Sequence, residues 1–159
     1  MTDMLVKLYD HPLTDRRADL AGDGVKVCRA LTMDRDVIVA FARARFGGAR
    51  AAWAAEVETA VLRQPSSCVI ATADGEVVGF ACWDATAKGV VGPIGVHEKH
   101  RGKGVAREMM RQVFEAMRSE GYAYAVIGWV QSEDYYRKAC GAVAIEGSHP
   151  GVYERRVGS

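Results

Sequence analysis

The stretch His97–Met110, HEKHRGKGVAREMM, sets Arg101, Gly102, Lys103 and Gly104 directly ahead of an amphipathic pattern. A helix N-terminus leaves its first amides without intrahelical acceptors, and the helix dipole favours an anion there. Glycine lets the backbone approach a ligand that side chains would hold off. Arg101 and Lys103 add local positive charge, so the turn suits a phosphate or pyrophosphate. One exposed charge at a helix end contributes only about 0.3–1 kcal/mol, so several amides must act together on a multiply charged guest. Two common nucleotide motifs do not fit. A P-loop needs Ser or Thr after its lysine, whereas Lys103 is followed by Gly104-Val105. A Rossmann fingerprint needs a third glycine where Arg107 stands, and belongs to the first strand–helix unit rather than two-thirds along the chain.

Other reactive residue types carry weaker signals. Asp84, His97, Glu98 and His149 are possible bases, none singled out by spacing. Four cysteines, Cys28, Cys68, Cys82 and Cys140, form no Cys-x-x-Cys pair, so neither a zinc site nor a disulfide framework is expected, and the thiols read as those of a reduced, cytoplasmic protein. Cys140 has no histidine at a recognisable spacing to make it a nucleophile. His11 and His100 read as surface residues, and Trp83 and Trp129 as core, with the lining of a substrate cleft as their alternative.

The elements that must position the turn follow from periodicity. MLVKLYD and GVKVCRAL read as strands with a polar loop between them. A helix is predicted over Met33–Phe46, capped by Thr32, burying Val37, Phe41 and Ala44; a second runs Ala49–Leu62 on Trp53, Val57 and Val61. SCVIATA and EVVGFACWD flank Asp74-Gly75, a strong hairpin signal. KGVVGPIGV is a strand that Gly92-Pro93 should break or splay, since proline cannot donate to a ladder. A helix to about Glu120 carries Val105, Met109, Val113 and Met117 on one stripe, beside Ala106, Met110 and Phe114. YAYAVIGWV is a buried strand, SEDYYRKAC a helix capped by Ser132, and AVAIEG and GVYERRV closing strands. The pattern gives an α/β (α+β) chain built on one mixed sheet with helices on its faces.

At 159 residues, one domain over 1–159 is expected. A net charge of +1 supplies no global attraction to nucleic acid or to a membrane surface, so neither is expected as a partner. No apolar run reaches membrane-spanning length, and the first residues lack the build of a signal peptide.

Arg101-x-x-Gly104-x-Ala106, after a Pro-broken strand and before an amphipathic helix, resembles the Gln/Arg-x-x-Gly-x-Gly/Ala motif of the GNAT superfamily of acyl-CoA-dependent N-acyltransferases. EDYYRKACGA is similar to that family's later helix with a Phe/Tyr-Tyr pair ending at glycine, and the element order agrees from about Val25 to Val157. The glycine follows Tyr136 one residue later than in the family pattern, and the asparagine that often precedes the helix has no counterpart in GWVQSE.

The resemblance implies a mostly antiparallel sheet splayed at its central strand, and direct acyl transfer from acetyl-CoA to an amine without a metal. It implies that Ile94, Gly95 and Val96 meet the pantetheine arm and thioester, with the Val96 amide a candidate oxyanion donor. Arg101, Gly102, Lys103, Gly104, Val105, Ala106 and Arg107 would hold the pyrophosphate. Tyr136 is the candidate general acid for the leaving thiolate, with Tyr135 as the alternative. The family's acceptor pocket falls on Met33–Leu62. Residues 1–24 lie outside the resemblance and are expected to form an extension, with an extra strand packing on the sheet or on a partner subunit; a homodimer is one possibility. A non-catalytic acyl-CoA-binding or sensing module would keep the same turn without the chemistry, and the acceptor amine stays open.

Overall fold

The computed structural model describes residues 1–158; Ser159, the last residue of the expected domain, lies outside them. Seven strands form one sheet in the order β2-β3-β4-β5-β6-β1-β7: β1 Thr2–Lys7, β2 Val25–Arg29, β3 Cys68–Ala73, β4 Glu76–Trp83, β5 Val90–Val96, β6 Tyr124–Val130 and β7 Val143–Ala144. All neighbouring pairs are antiparallel except β5 with β6. Five helices accompany it: α1 Arg17–Gly22, α2 Arg35–Arg45, α3 Trp53–Leu62, α4 Val105–Ser119 and α5 Glu133–Cys140.

The two-residue alternation of β3 and β4 divides the core. Val69, Ala71, Ala81 and Trp83 face α4, whose Met109, Met110, Val113, Phe114 and Met117 are fully buried. Cys68, Ile70, Phe80 and Cys82 face the other way, onto α2 and α3. Each large apolar side chain removed from water contributes about 1.5–3 kcal/mol. The two clusters therefore hold helices to both faces, as expected, and all four cysteines are unpaired.

The extra strand expected from the N-terminal residues is present, and it lies inside the sheet rather than on its edge. β1 is inserted within the sheet, pairing with β6 from Thr2↔Val130 to Lys7↔Tyr124 and with β7 at Met4↔Ala144 and Leu5↔Val143. Its Met4 and Val6 are fully buried. The polar loop after it holds the short helix α1, which buries only Leu20 and so leaves no readable periodicity.

Other differences are local. Thr32 does not cap; its hydroxyl accepts from Gln64 Nε2 at 2.7 Å, and α2 starts at Arg35. α2 buries Ile38, Val39 and Ala42, one position out of phase with the predicted face, while Val37 is exposed. α3 starts at Trp53, after a 3-10 turn at Gly48–Arg50. Of the two closing strands, one shrinks to β7 and the other is a 3-10 turn, Gly151–Arg155, because β7 supplies only two bridging residues before the Gly147 and Pro150 turns.

Candidate active site

The central gap arises where β5 leaves β6. Their parallel pairing is confined to Val90↔Val126 and Val91↔Ile127. Gly92 then takes φ 141°, a conformation open to glycine, and Pro93 has no N–H to offer. β5 stays paired with β4 at Ile94↔Ala81, Gly95↔Phe80 and Val96↔Gly79. His97 donates its amide to Val78 O on β4 at 2.8 Å. Amides of an antiparallel strand alternate sides, so Gly95 points the same way as His97. The amides of Ile94 and Val96 consequently face the gap. Gly95 is glycine by necessity: a Cβ there would lie 2.7 Å from Phe46 Cζ and 2.8 Å from Phe80 Cζ.

A cleft of about 1270 Å³ follows this gap, and Ile94, Gly95, Val96 and every residue from Arg101 to Arg107 line it. Gly102 and Gly104 have φ 77° and 87°. Gly104 is the N-cap of α4 without any side-chain cap, and the first amide to bond back is that of Glu108, to Gly104 O at 3.1 Å. The amides of Val105, Ala106 and Arg107 therefore have no intrahelical acceptor. Arg101 does a second job, since its Nε donates to Val96 O at 3.1 Å and ties the turn to the end of β5.

Sequence reasoning missed Arg16. Its Nη1 lies 3.2 Å, and its Cδ 3.3 Å, from where a Cβ on Gly104 would stand, which lays a guanidinium over the turn. The segment is held there by Glu108, which is fully buried and accepts the Arg16 amide at 2.8 Å. Glu108 also accepts Arg111 Nη2 at 2.8 Å and Gln112 Nε2 at 3.0 Å, and Arg111 reaches Glu115 at 2.7 Å. Such a buried carboxylate is tolerable only with its partners in place. Arg16 and Glu108 are far apart in the chain, and no local pattern marks them as partners.

α5 brings both tyrosines to the cleft. Ser132 caps it by accepting the Tyr135 amide at 3.3 Å, and Gly141, φ 69°, ends it, as the sequence indicated. Burial, with Tyr135 and Cys140 adding to it, pushes the Tyr136 phenol up to about 12, so it keeps its proton. Burial also raises Tyr135, against the opposing charge of Arg107 and Arg16. Cys140 is pushed up to about 11 by burial and stays a thiol.

None of the four possible bases lines the cleft. Asp84 is consumed by the loop it closes: it accepts Gly89 N–H and Tyr122 O–H, both at 2.6 Å. His97 Nδ1 accepts the Lys99 amide at 3.1 Å, and Glu98 is exposed. His149 lies against Trp129, ring centroids 5.9 Å apart. The ionisable residues that do line the cleft include Glu56 and His100. His100 is half-buried rather than a plain surface residue, and its buried Nδ1 has no hydrogen-bond partner; His11 packs edge-on against Phe114 at 5.3 Å. Trp83 is core, as read, but Trp129 is a cleft wall. Among the described residues no group of His, Cys, Asp or Glu is placed to hold a metal ion, and no helix is long and apolar enough to cross a membrane.

The sheet is thus split at its centre, with a glycine-capped helix N-terminus at the end of the split. Residues 35–142 match the model of the acetyltransferase (GNAT) family, and the chain belongs to that family. The fold resembles a GCN5-related glucosamine N-acetyltransferase region of a fungal multi-domain GH3 β-N-acetylglucosaminidase, with a TM-score of 0.71 and 15% identity over 91% of this chain and 19% of that one. It also resembles a GCN5-related N-acetyltransferase from Sphaerobacter thermophilus, TM-score 0.66 and 19% identity over 91% of this chain and 48% of that one. A GNAT family acetyltransferase from Brucella melitensis, solved in complex with acetyl-CoA, gives 0.58 and 19% over 76% of this chain and 88% of that one. The chain thus spans about a fifth of the fungal protein and about half of the Sphaerobacter protein. At these identities the likeness is one of fold. No curated protein matches the sequence.

Proposed function

We propose that the protein transfers an acetyl group from acetyl-CoA directly to a primary amine. The observation that carries this reading is the shared cleft: the outward amides of Ile94 and Val96 line the same cavity as the uncapped N-terminus of α4. Acetyl-CoA has the matching shape, with a pyrophosphate for the amides of Gly102 to Arg107 and a pantetheine arm for β5. The Brucella relative binds acetyl-CoA. Lys103 and Arg107 line the turn's side of the cleft, and Arg101 braces it through Val96 O.

With the arm along β5, the Val96 N–H is the donor for the oxyanion that forms when the amine attacks the thioester carbon; one preorganised donor of this kind contributes about 2.7–4 kcal/mol. Tyr136 supplies the O–H that hydrogen-bonds the sulfur as the C–S bond breaks. Arg16 adds a charge to the phosphate site from outside the family motif. Arg16→Ala should weaken acetyl-CoA binding about tenfold, the loss of one charge-assisted hydrogen bond, with kcat unchanged. Calorimetric titration and steady-state kinetics check this.

The reading itself is tested by thiol release from acetyl-CoA in the presence of a panel of primary amines. Amine-dependent release supports it. Saturable binding with no release for any amine would favour the sensing module, which needs the turn but neither Val96 nor Tyr136.

A further inference from the structure

Towards α3 and the C-terminal turn, the cleft is lined by residues that belong neither to β5 nor to the Arg101–Arg107 turn. Glu56 of α3 stands in it, half-buried, accepting a hydrogen bond from the Thr86 hydroxyl. The 3-10 turn Gly151–Arg155 closes it from the far side. Gly128 makes room for this turn, since a Cβ there would lie 2.6 Å from the Tyr153 hydroxyl. Tyr153 stacks on Trp129 at 4.3 Å between centroids, and the Trp129 indole N–H donates to Pro150 O at 3.1 Å. Trp53, Trp129 and Tyr153 thus give flat apolar walls. Arg155 and Arg156 also line this end, and among the described residues neither forms an ion pair.

This part of the cleft therefore offers one carboxylate, Glu56, the guanidinium groups of Arg50, Arg155 and Arg156, and aromatic faces. We propose that Glu56 takes the proton of the acceptor's ammonium here, and that the acceptor is a primary amine that also carries a carboxylate on an apolar or aromatic skeleton. The inference rests on the reading of the neighbouring cleft as an acetyl-CoA site. Burial raises the Glu56 carboxyl above its ordinary range, offset in part by the Thr86 hydrogen bond and by Arg156, which makes it a better proton acceptor than an exposed carboxylate. The acceptor's ammonium must lose a proton before its nitrogen can attack. Glu56 receives that proton, directly or through a water. The nitrogen lone pair then forms the C–N bond, the C–S bond breaks with its electron pair on sulfur, and the second proton, shed by the nitrogen as it becomes an amide, ends on the sulfur. The net products are amide, coenzyme A thiol and one proton released from Glu56 to solvent. The guanidinium of Arg156 holds the carboxylate end.

The test compares phenylalanine, tyrosine, tryptophan, leucine and methionine with their decarboxylated amines, using the full chain, acetyl-CoA and thiol release. The amino acids should exceed the matched amines in kcat/KM by about tenfold or more, as one charge-assisted contact predicts. Glu56→Gln, which keeps an acceptor for Thr86, should lower kcat about 100-fold while acetyl-CoA affinity by calorimetry holds to within about twofold. Arg156→Ala should raise KM about tenfold for amino acids and leave it unchanged for the matched amines. Equal or reversed preference, or no turnover of any amino acid by protein that binds acetyl-CoA, overturns the acceptor class. Unchanged kcat in Glu56→Gln overturns the role of Glu56. Wild-type protein that fails to bind acetyl-CoA instead overturns the underlying reading.

Discussion

Gly104→Glu should lower acetyl-CoA affinity by more than about 100-fold while leaving the fold intact. The new carboxylate would occupy the position that the phosphate needs, 3.2 Å from the Arg16 guanidinium at its Cβ, and would take that cation for itself. Hydrogen bonds to charged groups contribute about 1.5–3 kcal/mol each, so losing two of them accounts for the expected change. The backbone at φ 87° adds a cost, about 1–2 kcal/mol for an L-residue in the left-handed region, which is small against a typical domain stability of about 5–15 kcal/mol. Gly104→Ala carries the same backbone cost without the charge. It should therefore bind acetyl-CoA more tightly than Gly104→Glu, and equal affinities would mean that backbone strain alone controls the turn. Circular dichroism and calorimetric titration of both variants read the two effects separately.

Tyr136→Phe should lower kcat about 100-fold with little change in KM for acetyl-CoA. The phenol sits at about 12, against about 8.5 for an ordinary thiol, so full proton transfer to the sulfur is uphill. The contribution proposed for it is an O–H held in a buried place and directed at charge as it develops, an interaction made in the transition state and not in the ground state. The predicted signature is therefore a loss in kcat and kcat/KM together. Undiminished kcat in Tyr136→Phe, with a loss in Tyr135→Phe, would move the role to Tyr135, whose ring meets that of Tyr136 edge-on at 5.0 Å.

The parts of the structure that could be read in the sequence are those set by local rules. The Asp74-Gly75 hairpin, the stripe on α4, the Ser132 and Gly141 caps and the splay at Gly92-Pro93 each depend on residues close together in the chain. The turn from Arg101 to Arg107 was legible for the same reason. What was hidden depends on pairing across the chain. Nothing in TDMLVK says that it will lie between β6 and β7, because an alternating strand reads alike in any place in a sheet. Arg16 and Glu108 meet only once the N-terminal segment crosses α4, and a glutamate in a helix reads as exposed until its partners are known. Glu56 was hidden because the apolar stripe of α3 does not say which of its polar residues faces the cleft. The closing strands failed for the same reason. GVYERRV has strand-like composition, but Gly151–Arg155 form a 3-10 turn in which Tyr153 packs its ring on Trp129, a contact from a distant part of the chain.

The most direct test of the central claim is a calorimetric titration of the wild-type protein with acetyl-CoA. The account predicts saturable binding at one site per chain, lost in Gly104→Glu. A folded wild-type protein that takes up no acetyl-CoA, or a Gly104→Glu variant that binds it undiminished, would contradict the assignment of the cleft.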